Sequence, residues 1–284
     1  MNTRGVILYN LGTKCLVRLA VALNSMRKVW KGPATVLHVG DDGADAAYDI
    51  AILNDAGFKQ IPCRVDPGKN VALLGKTLLH LDTPYTVSVF LDADTVTLRP
   101  FLELFEAAEQ HQFAAVAFAD WKSYGSNYRR RIKDWSDIVP DDWIKAALAY
   151  GPAINTGVFA FHRDSELQNN LYEYAVKARE FFIPDEIGVC VLAPQYPCKT
   201  MPQEFNCSCR YSDPHAPNVR TVHFHGRKHA RIAADVFLNN ADIWYREFEQ
   251  VRKWPVVQDN IVNDAQLAAN IGKWDKMKGA ILGS

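Results

Sequence analysis

The sequence carries no net charge: 32 Lys and Arg balance 32 Asp and Glu over 284 residues. It therefore lacks the basic excess of a general nucleic-acid binder, and no nucleic-acid partner is expected. It also lacks the polybasic cluster that would hold a chain to an anionic membrane. No apolar run approaches the about 20 residues that a membrane-spanning helix needs. Phe113 to Ala119 is typical of the runs that exist. After Val6 to Leu11 no small-residue cleavage site follows, so no signal peptide is expected. There is no CxxC pair, and Cys207-Ser208-Cys209 is too tight for a zinc knuckle. Cysteines 15, 63, 190, 198, 207 and 209 read as reduced thiols of a cytoplasmic protein. Repeats, low-complexity tracts and linker-like composition are all missing. One domain is expected over 1–284, with a core at about 5–235 and C-terminal helices at about 236–284.

What is present is ordinary globular material, 48% apolar and 23% charged, ample for a core. The first hundred residues alternate two periodicities. Val6 to Asn10, Ala34 to Val39, Ile61 to Val65 and Thr86 to Leu91 read as strands. Leu16 to Val29, Asp45 to Ala56 and Val71 to Leu81 read as helices, the first with Arg18, Arg27 and Lys28 on its surface. This order predicts an α/β fold, a mostly parallel sheet with helices on both faces. Beyond residue 120 the pattern changes. Residues 121 to 145 are polar, aromatic and arginine-rich, and read as a mobile lid or acceptor wall. Trp121, Tyr124, Tyr128 and Trp135 there either stack on sugar rings or pack beneath the segment. Gly157 to His162 and Val219 to Phe224 read as further strands, Glu166 to Phe182 as a helix, and Asp242 to Trp254 and Asp264 to Met277 as C-terminal helices.

Four segments carry candidate chemistry. Leu91-Asp92-Ala93-Asp94-Thr95 ends an apolar strand, and alternation puts Asp92 and Asp94 on one side. Ligands of open α/β sheets bind beyond the carboxyl ends of the strands. Two carboxylates there repel each other unless a cation sits between them, and a hard divalent metal satisfies both. Val222-His223-Phe224-His225-Gly226-Arg227-Lys228-His229 delivers an imidazole, a glycine turn and then cations. His223 can complete a metal shell, and Lys228 or His229 can neutralise a phosphate. Asn155-Thr156-Gly157 sets an amide at the mouth of a strand, where it can bond a sugar hydroxyl or simply form a turn. Pro184-Asp185-Glu186 opens a helix, where two acids suit the dipole or serve a substrate.

Taken in order, these pieces resemble the GT-A glycosyltransferases. They are closest to the retaining family 8 group of glycogenin-like enzymes and bacterial lipopolysaccharide galactosyltransferases. The carrying residues are Gly75-Lys76, Phe90 to Thr95, Leu98, Phe101 to Phe105, Asn155 to Val158, Asp185-Glu186 and His223-Phe224-x-Gly226. The resemblance spans about residues 5–230. It implies that Asp92, Asp94 and His223 hold Mn²⁺ or Mg²⁺ on the diphosphate of a nucleotide-sugar donor, expected to be a UDP-sugar. It places Tyr9 and Asn10 at the base and ribose, Lys76 at the donor, and Lys228 at the diphosphate. It sets Asn155 and Asp185 on the transferred sugar and Glu186 facing the anomeric carbon. The chain departs from the group in two places. The family lysine falls where His229 stands, and Glu186 replaces a more common glutamine.

The implied reaction moves a sugar to a glycan or other hydroxyl acceptor. With inversion, Asp185 or Glu186 would deprotonate that acceptor; with retention, the leaving diphosphate takes the proton, and the family leans to retention. A metal-dependent nucleotidyltransferase is the rival enzyme. It would usually have a glycine-rich loop after the first strand, where Asn10-Leu11-Gly12-Thr13-Lys14 has one glycine. A non-catalytic nucleotide-sugar-binding protein is the other alternative.

Overall fold

The computed structural model describes residues 3–12, 15–40, 57–120, 126–209, 212–224, 241–263 and 265–282. Strand β1 (Arg4–Leu11) lies inside a seven-stranded sheet, third from one edge. Beside it run β2 (Ala34–Val39), β3 (Gly57–Ile61) and β4 (Val87–Leu91), all parallel. Next to β4 comes β7 (Pro152–His162), antiparallel, then β6 (Phe113–Asp120) and β8 (Lys199–Met201). The strand order is β3-β2-β1-β4-β7-β6-β8. The sheet is mixed and mostly parallel, as the sequence predicts.

Every residue of β4 is buried, and its alternate side chains enter opposite layers. Val87, Val89 and Leu91 pack with α1 (Leu16–Val29) and α4 (Leu102–His111). Phe90 packs with Phe159 on the other face, beside α2 (Val71–Lys76), α5 (Ser126–Lys133), α6 (Asp141–Tyr150), α7 (Glu166–Lys177) and α8 (Pro184–Leu192). Burying one such side chain contributes about 1.5–3 kcal/mol, so a one-residue slip of β4 would cost several of these at once. The C-terminal helices α9 (Ala241–Val251), α10 (Pro255–Asn263) and α11 (Ala265–Leu282) add Trp244, Phe248 and Trp274 to the α1 layer. Among the described residues, no helix is long and apolar enough to cross a membrane.

Some sequence expectations are corrected. The third strand runs Gly57–Ile61 rather than Ile61–Val65, because Pro62 has no N–H for the ladder with β2. The helix expected over 71–81 is α2 followed by the single turn α3 (Leu79–Asp82). Thr77 Oγ1 bonds Leu74 O at 2.6 Å, and tighter i→i+3 bonds form at the junction. The helix expected over 45–56 lies outside the described residues. The described part of 121–145 is largely helical, in α5 and the start of α6, with Tyr128 and Trp135 buried beneath the surface. Arg18 and Arg27 are also buried rather than on the surface.

A second, small sheet positions the site. Strand β10 (Thr221–His223) pairs antiparallel with β5 (Thr95–Thr97) and parallel with β9 (Cys207–Ser208). His223 stands opposite Thr95, one residue past Asp94.

Candidate active site

The carboxyl end of β4 is locked to the middle of β7 by the Asp92 N–H, which donates to Gly157 O at 2.8 Å. Thr95 closes the turn beyond, its N–H and hydroxyl both donating to Asp92 O at 3.1 and 2.7 Å. Phe224 N–H donates to Asp94 O at 2.9 Å, which fixes β10 against the same turn. Three strands thus deliver Asp92, Asp94 and His223 to one point, and their ligating atoms all lie within 4.8 Å of one another. His223 Nε2 is 3.1 Å from Asp94 Oδ1 and 3.8 Å from Asp92 Oδ2. One nitrogen and two carboxylates on rigid strand ends form a donor set suited to Mn²⁺ or Mg²⁺.

The surrounding charges fit that reading. Lys76 Nζ donates to Asp92 Oδ2 at 2.6 Å and sits 5.5 Å from the Phe90 ring centroid. Arg18 reaches Asp94 Oδ2 at 3.5 Å. Asp185 and Glu186 stand close by at the start of α8 and act on Lys76 and on each other. Four carboxyl groups thus meet two permanent cations, a deficit that a divalent cation would fill. Burial raises the pKa of Asp92, with the Asp94 charge adding to it, against the pull of Lys76. Burial works the same way on Asp94, but the His223 ring, its hydrogen bond and Arg18 outweigh it and hold that carboxyl below the usual range. Burial would lower Lys76, but Asp92 and Asp185 outweigh it, so the ammonium stays charged.

The remaining polar groups form one chain. Asn155 Oδ1 lies 2.9 Å from His223 Nδ1, and Asn155 Nδ2 donates to Glu186 Oε1 at 2.7 Å. Tyr128 O–H donates to Glu186 Oε2 at 2.6 Å. Burial, then the Asp185 charge, pushes the Glu186 carboxyl up to about 7. Thr156 O–H donates to Asp185 Oδ2 at 2.6 Å, while Asp185 Oδ1 is buried with no hydrogen-bond partner among the described residues. A buried unpartnered carboxylate oxygen is costly in a folded protein unless something binds it.

Tyr9 and Asn10 lie at the carboxyl end of β1. The Tyr9 hydroxyl crosses over Gly75, where a Cβ would stand 2.1 Å from it, and burial pushes that hydroxyl up to about 12. Asn10 Nδ2 donates to Gly12 O at 2.6 Å and faces His38 Nδ1 at 3.3 Å. Lys228 and His229 lie outside the described residues. The structure therefore gathers Lys76, Asp92, Asp94, Asn155, Asp185, Glu186 and His223, and adds Arg18, Tyr128 and Asn206. Asn206 is buried and donates to Asn155 Oδ1 at 2.8 Å and to Asn155 O at 3.0 Å. Nothing in the sequence marks Asn206 as a site residue; Tyr128 stands out only as one aromatic of the 121–145 segment, and Arg18 only by its place in the first turn of the helix that follows β1. None of the six cysteines forms a disulfide.

No protein-family model matches the sequence, and no curated protein sequence matches it. Solved structures do. Galactosyltransferase LgtC, solved with donor and acceptor sugar analogs, superposes with a TM-score of 0.61 at 12% identity, over 88% of this chain and 97% of that one. Mouse xyloside xylosyltransferase 1 gives 0.54 at 13% identity, over 80% and 99%. The glycosyltransferase GlyE of Streptococcus pneumoniae gives 0.58 at 12% identity, over 93% and 64%. The chain has the fold of these enzymes, the GT-A architecture.

Proposed function

We propose that the protein is a metal-dependent glycosyltransferase that takes a UDP-sugar donor and a glycan or other hydroxyl acceptor, with retention at the anomeric carbon. The observation that carries this reading is the convergence of Asp92, Asp94 and His223 within 4.8 Å at the carboxyl edge of a GT-A sheet. A bound Mn²⁺ or Mg²⁺ would supply the Lewis acid for a diphosphate leaving group. The protein's own groups do the rest. Tyr9 and Asn10 flank the base and ribose. Lys76 balances Asp92 and faces the donor. Asp185, with one oxygen held by Thr156 and the other unpartnered, binds a hydroxyl of the transferred sugar. Asn155 orients both His223 and Glu186 beside that sugar.

Glu186 has both oxygens engaged, by Tyr128 and Asn155. That leaves it poorly placed to deprotonate an acceptor and favours retention, in which the leaving diphosphate accepts the proton. Six cysteines outside disulfides suit a reducing, cytoplasmic setting. The whole of 1–284 acts as one unit, with the C-terminal helices sharing the α1 core.

The test is a panel of nucleotide-sugars with and without Mn²⁺. Metal-dependent release of UDP from one donor is expected. Nucleotide binding with no turnover on any donor or acceptor would move the protein to the non-catalytic class. Pyrophosphate release from a nucleoside triphosphate would move it to the nucleotidyltransferases.

A further inference from the structure

A cleft lies between α5 and the turn that leads into α8. It is lined by Arg130, Arg131, Asp134, Trp135, Phe181 and Phe182 and has a volume of about 290 Å³. The Arg131 guanidinium lies 4.3 Å from the Phe182 ring centroid. The described arginine–carboxylate pairs use Arg4, Arg18, Arg64, Arg220, Arg246 and Arg252; neither Arg130 nor Arg131 has such a partner among the described residues. Phe181 and Phe182 are 41% and 64% exposed, adjacent in the chain and beside those cations. Trp135 forms the buried floor, and its indole N–H has no hydrogen-bond partner among the described residues. Buried polar groups are nearly always bonded, so an exception marks a site under other constraints.

The cleft is tied to the reaction centre twice. Tyr128, on the same helix as Arg130 and Arg131, donates its hydroxyl to Glu186 at 2.6 Å. Phe182 is followed by Ile183, Pro184, Asp185 and Glu186, and Ile183 is held at φ 50°. A β-branched residue in the left-handed region is strained, and such strain collects at functional sites. Here it turns the chain from the exposed aromatic pair straight into the acidic start of α8.

Flat aromatic faces suit the C–H faces of a pyranose. Guanidinium forks match carboxylate and phosphate oxygens, and Asp134 can accept from hydroxyls. The volume sits at the small end of ligand pockets, about 300–1,000 Å³, and is right for one or two sugar rings. We infer that this cleft is the acceptor subsite and that the acceptor is a glycan bearing an anionic group, a carboxylate or a phosphate, with its ring against Phe182 and its charge on Arg130 and Arg131. The inference rests on the glycosyltransferase reading above. A concave wall that includes a carboxylate fits a soluble sugar better than the flat face of an anionic bilayer.

Titration calorimetry on the full chain tests this with four probes: trigalacturonic acid, glucose 6-phosphate and their neutral counterparts α-1,4-galactotriose and glucose. At least one charged probe is expected to bind tenfold or more tightly than its neutral counterpart. Arg130→Ala combined with Arg131→Ala is expected to erase that preference, and Phe182→Ala to weaken charged and neutral sugars alike. The single variants Arg130→Gln and Arg131→Gln, each expected to reduce the preference severalfold, replace the double variant if it unfolds. Equal affinity for charged and neutral probes, or an unchanged preference in the arginine variants, overturns the inference. So does arginine-dependent sedimentation with phosphatidylglycerol vesicles without binding of soluble probes, which would make this a membrane-facing surface. UDP titrated with Mn²⁺ into the same variants is expected to bind as in wild type. Anionic probes that bind where UDP does not would leave an anion site and remove the transferase reading; UDP binding with no anionic preference would remove the cleft alone.

Discussion

The His223 ring is held by Asn155, with Nδ1 2.9 Å from the amide oxygen. That oxygen also receives the Gly157 N–H at 2.9 Å and Asn206 Nδ2 at 2.8 Å. The opposite amide orientation would set Asn155 NH₂ against the Gly157 N–H and its oxygen against the Glu186 carboxyl. An amide oxygen only accepts, so the His223 proton bonded to it lies on Nδ1. Nε2 is thereby turned toward Asp94 and Asp92, the arrangement a metal ligand needs.

Asn155→Ala should therefore weaken Mn²⁺ binding about 10- to 100-fold, the usual cost of losing a partner behind a ligating histidine. Calorimetric titration with Mn²⁺ alone measures this without any turnover assay. An unchanged affinity would mean that Asn155 serves only the sugar.

Gly157 offers a steric version of the same test. A Cβ there would stand 2.0 Å from His223 Cε1, and the ring is buried with nowhere to retreat. Gly157→Ala should cost about 1–3 kcal/mol of stability by overpacking. It should also remove the rise in melting temperature that Mn²⁺ gives wild type through binding the folded state alone. A full Mn²⁺-dependent shift in this variant would show that His223 is not a ligand.

Local patterns explain how much of this was legible in the sequence. Leu16 to Val29 and Ala34 to Val39 match their elements end to end, because Gly32-Pro33 separates them and the strand is a short apolar run buried at every residue. Asp92, Asp94 and His223 were readable because strand ends and motif order mark them, although 129 residues separate Asp94 from His223. Arg18 is buried against the surface expectation, since helical periodicity does not reveal that the first turn of the helix faces Asp94. Asn206 carries no signal in the sequence, and Tyr128 is marked only as an aromatic of the 121–145 segment, not as a partner of Glu186. Their roles depend on where α5 and the turn before β9 come to rest, and that is decided by tertiary packing. The break between α2 and α3 was hidden for a similar reason: Thr77 is a tolerable helix residue until its hydroxyl bonds Leu74 O.

Glu186 should make the protein's behaviour depend on pH. Burial and Asp185 raise its carboxyl from an ordinary 4.5 to about 7. The folded state then holds a proton that the unfolded state has released. The stability it contributes is full below about pH 4.5 and is lost as pH rises toward 7. The loss should be on the order of 2 kcal/mol, less than the whole shift would give because the side chain is only partly buried. Glu186→Gln keeps an acceptor for Asn155 and removes the titration. Denaturant melts at pH 5 and pH 8 should differ less in this variant than in wild type; equal differences would place the ionisation elsewhere.

Asp185 separates a structural from a catalytic use of the α8 N-terminus. No side chain caps that helix, so the acid does not satisfy its free N–H groups by hydrogen bonding. It can still favour the helix dipole, worth about 0.3–1 kcal/mol. If that were all, Asp185→Asn would cost little stability and little rate. The side chain is instead 1% exposed, with Thr156 on one oxygen and nothing on the other. A sugar hydroxyl donating to Oδ1 would supply the missing bond, and an amide that presents NH₂ there could not accept that proton. Asp185→Asn should lower kcat by well over tenfold, more than about 1.4 kcal/mol of transition-state stabilisation, while UDP affinity and melting temperature stay near wild type. Glu186→Ala should lower kcat as well, by a smaller factor, because its oxygens already have partners within the protein. Steady-state rates with the true donor, set beside UDP titration, decide it: near-normal turnover in Asp185→Asn would return both acids to the helix dipole.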